Sequence, residues 1–277
     1  MKLGLIKRAF VAAHQDGCFG IAKAAAYSAL LSFFPVLTSI TAILVQANAE
    51  AVSRVLSRFL FEVVPPGTED LVEYQFKIRG AQPASLLVIA TMLSVWAASG
   101  LMVSLMEGFQ AAYRIPSERH FLKQRGVAIL LVLVAAVPAI GASALVLFGD
   151  RTEKAVMGSL GFLDPSLQLM GMLAWAGRLI RYTVALGAVA LVTAALYYIG
   201  PSRPQKWKSV WPGAMVATFF WLLATLAFAW YVRNLANYNL LYGSIGGVIA
   251  LLVWMYLLAV MALVGCEYNA EQERMKK

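Results

Sequence analysis

The chain has 277 residues, of which 61% are hydrophobic and only 13% are charged, roughly half the charged share of a soluble domain. This composition excludes an ordinary water-soluble fold and favours a single membrane domain over residues 1–277. The net charge of +9 is divided among short segments between apolar runs, a distribution that sets topology and argues against nucleic-acid binding.

Six apolar runs are long enough to cross a bilayer, because about 20 residues at a rise of about 1.5 Å span a hydrocarbon core of about 30 Å. A helix satisfies its own backbone hydrogen bonds in that environment. The sequence therefore predicts an all-α polytopic membrane protein with six transmembrane helices. The predicted spans cover residues 24–47, 84–106, 126–148, 179–199, 211–232 and 243–265.

The segment before the first span predicts a short amphipathic helix. Residues 1–17 carry apolar side chains with the period of a helix, and polar side chains elsewhere. The apolar positions are Leu3, Ile6, Phe10 and Ala13. We expect this helix to lie on the membrane surface.

The first span contains one proline and a face of serines. Pro35 removes a backbone donor and is expected to act as a hinge. Ser28, Ser32 and Ser39 fall near one face of the helix. We expect that face to point into the bundle rather than toward lipid.

Two long amphipathic connectors, residues 48–83 and 149–177, follow the first and third spans. The first has a strong helical period and ends at the Pro-Pro-Gly run of residues 65–67, which predicts a small helical extracytoplasmic cap. Segments on the side of both termini carry 14 Lys and Arg, and the alternate segments carry 9. This bias predicts that both termini are cytoplasmic.

Arginines and amides gather at the outer ends of spans four to six. Arg178 and Arg181 are three residues apart and share a helix face. The connector after span five adds Arg233, Asn234, Asn237, Tyr238 and Asn239. Guanidinium groups bind phosphate and carboxylate in bidentate fashion, so this set predicts a site for a lipid headgroup or anionic solute. The alternative is interfacial anchoring by snorkelling arginines and aromatic side chains.

A second polar group is predicted at the cytoplasmic ends of the spans. Glu107 ends span two, Glu267 and Asn269 follow span six, and Lys23 precedes span one. Ionisable residues near a bundle interior mark ion or proton pathways. The alternative is that these side chains lie in water at helix ends or pair with neighbouring basic residues.

Glycines at the start of span six predict close helix packing or a break that opens a pore-lining segment. They are Gly243, Gly246 and Gly247. Span two carries a similar stripe of small residues from Gly100 to Gly108, which we interpret as a packing face.

Three stretches resemble the YihY/virulence factor BrkB family: AKAAAYSALLSFFPVLTSI in span one, YGSIG at the start of span six and GCEYNAE at its end. The resemblance is densest over the first span and residues 211–271. It implies a bacterial inner-membrane protein with six spans, connected with serum resistance and envelope integrity. The family once carried the label ribonuclease BN, and lipid transport has been suggested for it.

The residues themselves argue against an enzyme. The two histidines lie in different segments, no H-x-H or D-x-D pair occurs, and no GxxxxGK[ST] loop is present. The two cysteines lie far apart and predict no disulfide framework. We expect no metal and no cofactor.

The predicted function is membrane transport of an amphipathic or anionic substrate, phospholipid among them, in envelope maintenance. The first alternative is a scaffold that binds an envelope protein through the cap without transporting anything. The second is a proton- or ion-coupled transporter of small solutes that uses Glu107 and Glu267. The expected partners are membrane lipids and that envelope protein, and not nucleic acid.

Overall fold

The computed structural model describes residues 2–46, 84–116, 119–159, 171–234 and 245–276, and their regular structure is entirely helical. Six of the helices, α2 to α7, are long and apolar enough to cross a membrane, which confirms the predicted all-α, six-span architecture. The predicted cap over residues 48–83 lies outside the described residues. The helices are α1 (Lys2–Gln15), α2 (Cys18–Gln46), α3 (Ala84–Tyr113), α4 (Phe121–Ser159), α5 (Gly171–Ile199), α6 (Trp207–Asn234) and α7 (Ile245–Arg274).

Several helices extend beyond the apolar runs that predict them. Helix α4 continues to Ser159 and α5 begins at Gly171, so both enter the connector of residues 149–177. Helix α2 is continuous through Pro35, and α7 is continuous through Gly246 and Gly247, which are both buried. Gly243 lies outside the described residues.

The six membrane helices close a ring, because each one packs against the next in the chain and α7 packs against α2. Helix α7 also packs against α1 and α3, and it is therefore the most central element. Asp16, just after α1, is within ion-pair distance of Arg274 at the end of α7. The turn after α1 and the end of α7 therefore meet at one end of the ring, which we call the terminal end. The opposite end is the far end.

The amphipathic helix α1 packs one face against the bundle, and its place on the membrane surface stays a prediction. It packs against α7, and its fully buried positions are Ala9 and Ala13, with Leu5 and Ala12 nearly so. Alanines allow the two helix backbones to approach closely. The predicted apolar residues Ile6 and Phe10 pack at the edge of this core.

The predicted inward orientation of the serine face is confirmed. Ser32 and Ser39 are buried, and the hydroxyl of Ser39 is 2.8 Å from that of Ser94 on α3. The stripe of small residues on α3 packs as predicted, since a side chain at Gly108 would collide with Leu263 of α7. These contacts join α2, α3 and α7 tightly near the centre of the ring.

Candidate functional site

The residues predicted to bind a headgroup lie at the far end, where the structure describes only some of them. Arg178 is exposed on α5, and its guanidinium carbon lies 4.8 Å from the centre of the Trp175 ring. Arg181 is half-buried one turn further along. Asn234 is exposed at the end of α6 and donates a hydrogen bond to Trp230 O within its own helix at 2.8 Å.

The rest of that predicted set is not described. The side chain of Arg233 and the whole of Asn237, Tyr238 and Asn239 lie outside the described residues. Helices α5 and α6 pack against each other, so the described members belong to neighbouring helices at one end of the ring. Whether these side chains converge on one ligand stays a prediction.

At the terminal end, Glu267 of α7 has a fully buried side chain. The thiol of Cys18 lies 3.7 Å from Glu267 Oε1, and Arg274 Nη1 lies 3.7 Å from Oε2. Among the described residues Oε2 has no hydrogen-bond partner. A buried carboxyl group with incomplete hydrogen bonding is costly, which favours a role beyond packing.

A short turn places Asp16 next to this carboxylate. Helix α1 ends at Gln15, and Gly17 in the turn before α2 adopts φ = 73°, a left-handed conformation that glycine accepts at little cost. Arg114 Nε lies 3.1 Å from each oxygen of Asp16, and this hydrogen bond raises the pKa of Arg114 above its ordinary value. Arg274 contacts Asp16 at 3.7 Å and donates a hydrogen bond to Ala112 O at 2.6 Å. The network ties α1, α3 and α7 together.

Asn269 connects α7 to the part of α6 around Pro212, where the helix lacks one backbone hydrogen-bond donor. Its Oδ1 accepts a hydrogen bond from Gly213 N at 2.7 Å, and its Nδ2 donates one to Val210 O at 2.9 Å. These two backbone groups flank Pro212, whose ring removes a donor from the first turns of α6. Asn269 is buried, so it acts as an internal cap for that part of α6.

The two other predicted residues of this polar group lie elsewhere. Glu107 is exposed on α3 and Lys23 is exposed on α2. Glu267 and Asn269 are therefore the two that the structure brings into the buried terminal end. The described residues contain no group of three His, Cys, Asp or Glu side chains placed to hold a metal ion.

The least expected feature is Arg125 on α4, whose side chain reaches α3 and lies against the largely exposed Trp96. Its Nη2 donates a hydrogen bond to Trp96 O at 2.9 Å, and its guanidinium carbon lies 4.2 Å from the centre of the Trp96 ring. Its Nε is buried without a hydrogen-bond partner among the described residues. A methyl group added to Gly100 would lie 4.0 Å from Arg125 Nη1 and 3.8 Å from Ser28.

The position of Arg125 along α3 is unusual for a charged group. Trp96 and Gly100 flank the middle of α3, a helix of 30 residues. Among the described residues, no carboxylate forms an ion pair with Arg125. The Trp96 carbonyl accepts a hydrogen bond from Arg125, and the face of the Trp96 ring attracts the cation. Neither group carries the negative charge that would neutralise the guanidinium.

Comparison with known proteins identifies the family. The family model for virulence factor BrkB matches residues 9–277. The chain belongs to the virulence factor BrkB family. No solved structure matches it.

The relatives of this BrkB-family chain carry membrane-protein or ribonuclease-like names. It is 31% identical over 256 residues to ribonuclease-like protein YfkH of Bacillus subtilis, covering 91% of the chain and 89% of YfkH. It is 24% identical over 251 residues to a UPF0761 membrane protein of Tolumonas auensis, covering 88% of the chain and 77% of the relative. A UPF0761 membrane protein of Legionella pneumophila is 25% identical over 267 residues, and the match covers 94% of the chain and 60% of the relative.

Sequence reasoning did not single out Arg125 in this BrkB-family chain. The segment Lys123-Gln124-Arg125 directly precedes the apolar run of residues 126–148, so its charges were counted as topology determinants. Helix α4 begins at Phe121, which places Arg125 already one turn inside the helix. The sequence does show that a basic residue lies within one turn of a predicted span. It does not show whether that side chain points toward water or toward a neighbouring helix.

Proposed function

We propose that this membrane protein moves an amphipathic or anionic substrate across the bilayer, with phospholipid as the leading substrate, and that it is a carrier rather than a nuclease. The observation that carries the proposal is Arg125, a guanidinium held against the middle of α3 without a carboxylate partner among the described residues. Ionisable side chains within membrane-spanning helices often mark substrate or ion pathways.

The energetics explain why Arg125 supports an anionic substrate. On insertion scales an arginine at the centre of a membrane helix costs about 2.5 to 3.5 kcal/mol, which is an upper bound for Arg125 near the start of α4. A phosphate that passes the guanidinium offsets this cost through bidentate, charge-assisted hydrogen bonds. The neighbours of the guanidinium include the small residue Gly100, and Trp96 presents an exposed apolar face for acyl chains.

The remaining predicted features fit this proposal as further parts of a path. The family resemblance implies a bacterial inner membrane, and the distribution of Lys and Arg favours a cytoplasmic location for both termini. In that orientation Arg178, Arg181 and Arg233 would receive the headgroup at the outer surface. Pro35 would then supply the flexible point in α2.

Arg125 variants test the proposal in proteoliposomes that contain a labelled anionic phospholipid and a membrane-impermeant quencher. We expect Arg125→Gln to slow translocation at least tenfold, because loss of a charge-assisted contact of about 1.5 to 3 kcal/mol removes stabilisation of the moving headgroup. Arg125→Lys should retain part of the rate, because it keeps the charge but loses the planar fork. Arg8→Gln, which removes an exposed arginine from α1, is the matched control and should translocate at the wild-type rate.

Two alternatives predict different results in the same assay. A scaffold would give folded protein that translocates no lipid at all. A proton-coupled transporter is favoured by the buried carboxyl group of Glu267 and would show a rate that depends on an imposed pH gradient. Equal rates in the wild type and in folded Arg125→Gln would contradict a path that passes Arg125.

A further inference from the structure

A pocket of about 540 Å³ opens at the terminal end, between the start of α4 and the connector from α5 to α6. It is separate from the buried network around Glu267 and from Arg125. Polar and basic side chains provide much of its wall. Among its lining residues are Arg119, Lys123, Ser202, Arg203, Pro204 and Gln205.

Arg119 gives the pocket a charge that its own partners do not neutralise. Its guanidinium donates hydrogen bonds to the carbonyl oxygens of Ile199, Gly200 and Pro201 at 3.1 to 3.2 Å. These carbonyls end α5, so Arg119 caps that helix. Burial lowers the pKa of Arg119, although an arginine stays protonated at neutral pH. Neutral carbonyls satisfy its hydrogen bonds but leave the positive charge in place.

The other two cations differ in their environment. Lys123 is exposed in the first turn of α4. Arg203 pairs with Glu273, and its guanidinium carbon stacks 3.9 Å from the centre of the Tyr113 ring. Its Nε is buried and has no hydrogen-bond partner among the described residues. No carboxylate belongs to the described lining, so Arg119 and Lys123 leave the pocket net positive.

Aromatic and apolar side chains around the pocket indicate its depth. Tyr198 and Trp207 contact each other edge to face at 5.3 Å, and Trp207 contacts Trp211 in the same way at 6.0 Å. Phe121 and Leu122, at the start of α4, are largely exposed. Tyrosine and tryptophan concentrate at the headgroup level of membranes. This aromatic cluster beside the pocket is typical of the depth at which the phosphates of one leaflet lie.

We propose that this pocket binds a phosphate group, and that its occupant is the headgroup of an anionic phospholipid in the leaflet at the terminal end. Helices α4 and α6 both begin beside the pocket, and helix starts favour anions. Ser202 and Gln205 supply neutral hydrogen-bonding groups in the wall. Binding at this site does not require translocation. A negative result in the transport assay would therefore leave this proposal intact, and a negative binding result would leave the transport proposal intact.

Equilibrium binding to the full chain in neutral detergent tests this site. The probes are short-chain phosphatidylglycerol, short-chain phosphatidylcholine and inorganic phosphate, with bound ligand counted by native mass spectrometry. We expect saturable binding of phosphatidylglycerol that Lys123→Glu weakens about tenfold or more, the effect of losing one charge-assisted hydrogen bond. Lys208→Glu is the matched control, because Lys208 is an exposed lysine near the start of α6 that does not line the pocket.

Each outcome decides the proposal. Weaker binding in Lys123→Glu alone supports it, and Lys123→Gln should show a smaller loss in the same direction. Equal binding of inorganic phosphate, with the same dependence on Lys123, keeps the phosphate site but assigns it to free phosphate instead of lipid. Absence of saturable binding, or equal losses in Lys123→Glu and Lys208→Glu, would overturn the site.

Discussion

Replacing Gly213 by alanine is expected to destabilise the bundle by about 3 kcal/mol or more, a large fraction of the stability of a typical folded domain. A Cβ at this position would overlap the carbonyl oxygen of Gly265 and the side-chain amide of Asn269. The first obstacle is backbone, which cannot move aside as a flexible side chain would. Gly265 is equally crowded, because a Cβ there would meet Ala217 and the Tyr197 hydroxyl. Helices α6 and α7 therefore cross at their closest approach here.

The matched control is Gly187→Ala on α5. A Cβ at Gly187 has no atom within 4 Å, so this change should leave stability unchanged or raise it by up to about 1 kcal/mol through helix propensity. Thermal unfolding and size-exclusion profiles in detergent measure both variants. If Gly213→Ala unfolded at the wild-type temperature, the tight crossing of α6 and α7 would be wrong.

Replacing Asn269 by leucine is expected to destabilise the fold by about 2 to 4 kcal/mol. The change removes the partners of Gly213 N–H and Val210 C=O beside Pro212, and each buried backbone group left unsatisfied costs about 1 to 3 kcal/mol. Leucine fills a similar volume, so the loss would report the hydrogen bonds more than a cavity. Asn269→Asp should cost less stability than Asn269→Leu, because it keeps the acceptor for Gly213 N–H and loses only the donor to Val210 C=O.

Asn234→Leu provides the control for this second prediction. Asn234 is an exposed asparagine whose hydrogen bond stays within its own helix, so the same substitution there should change stability by less than about 0.5 kcal/mol. Thermal unfolding of both variants in the same detergent supplies the measurement. Equal, small losses in the two variants would mean that Asn269 does not support α6 at Pro212.

The architecture was predictable because membrane crossing depends on composition along one segment. Runs such as residues 126–148 reveal a span without knowledge of any other part of the chain. The serine face of α2 was predictable for the same reason, since the helical period alone groups Ser32 with Ser39. Both features follow from local rules.

The residues of the candidate site are brought together by contacts between positions far apart in the chain. A single sequence does not reveal such contacts. Arg125 meets Trp96 across a helix pair, and Arg274 meets the carbonyl of Ala112, 162 residues earlier in the chain. The docking of α1 was missed because Ala9 and Ala13 are small and add little to an amphipathic pattern. These alanines stabilise the fold by allowing α1 to pack closely against α7, and this contact cannot be inferred from the sequence of α1 alone.

The terminal end and the region around Arg125 differ in how completely their polar groups are hydrogen-bonded. At the terminal end, Arg274 and Asn269 fix α1, α3, α6 and α7 to one another. Beside the middle of α3, Arg125 contacts Trp96, and its buried Nε has no hydrogen-bond partner among the described residues. A rigid terminal end combined with a cation that keeps a free donor is suited to receiving a charged ligand.

The central claim is that the protein itself moves anionic lipid, and translocation by the wild-type chain tests it most directly. Purified protein in liposomes is compared with protein-free liposomes, using labelled phosphatidylglycerol and labelled phosphatidylcholine with a membrane-impermeant quencher. We predict fast translocation that is faster for the anionic headgroup, because the proposed path passes the Arg125 guanidinium, which forms no ion pair with a carboxylate among the described residues. Folded protein that leaves both lipids as slow as in protein-free liposomes, with or without a pH or ion gradient, would contradict it.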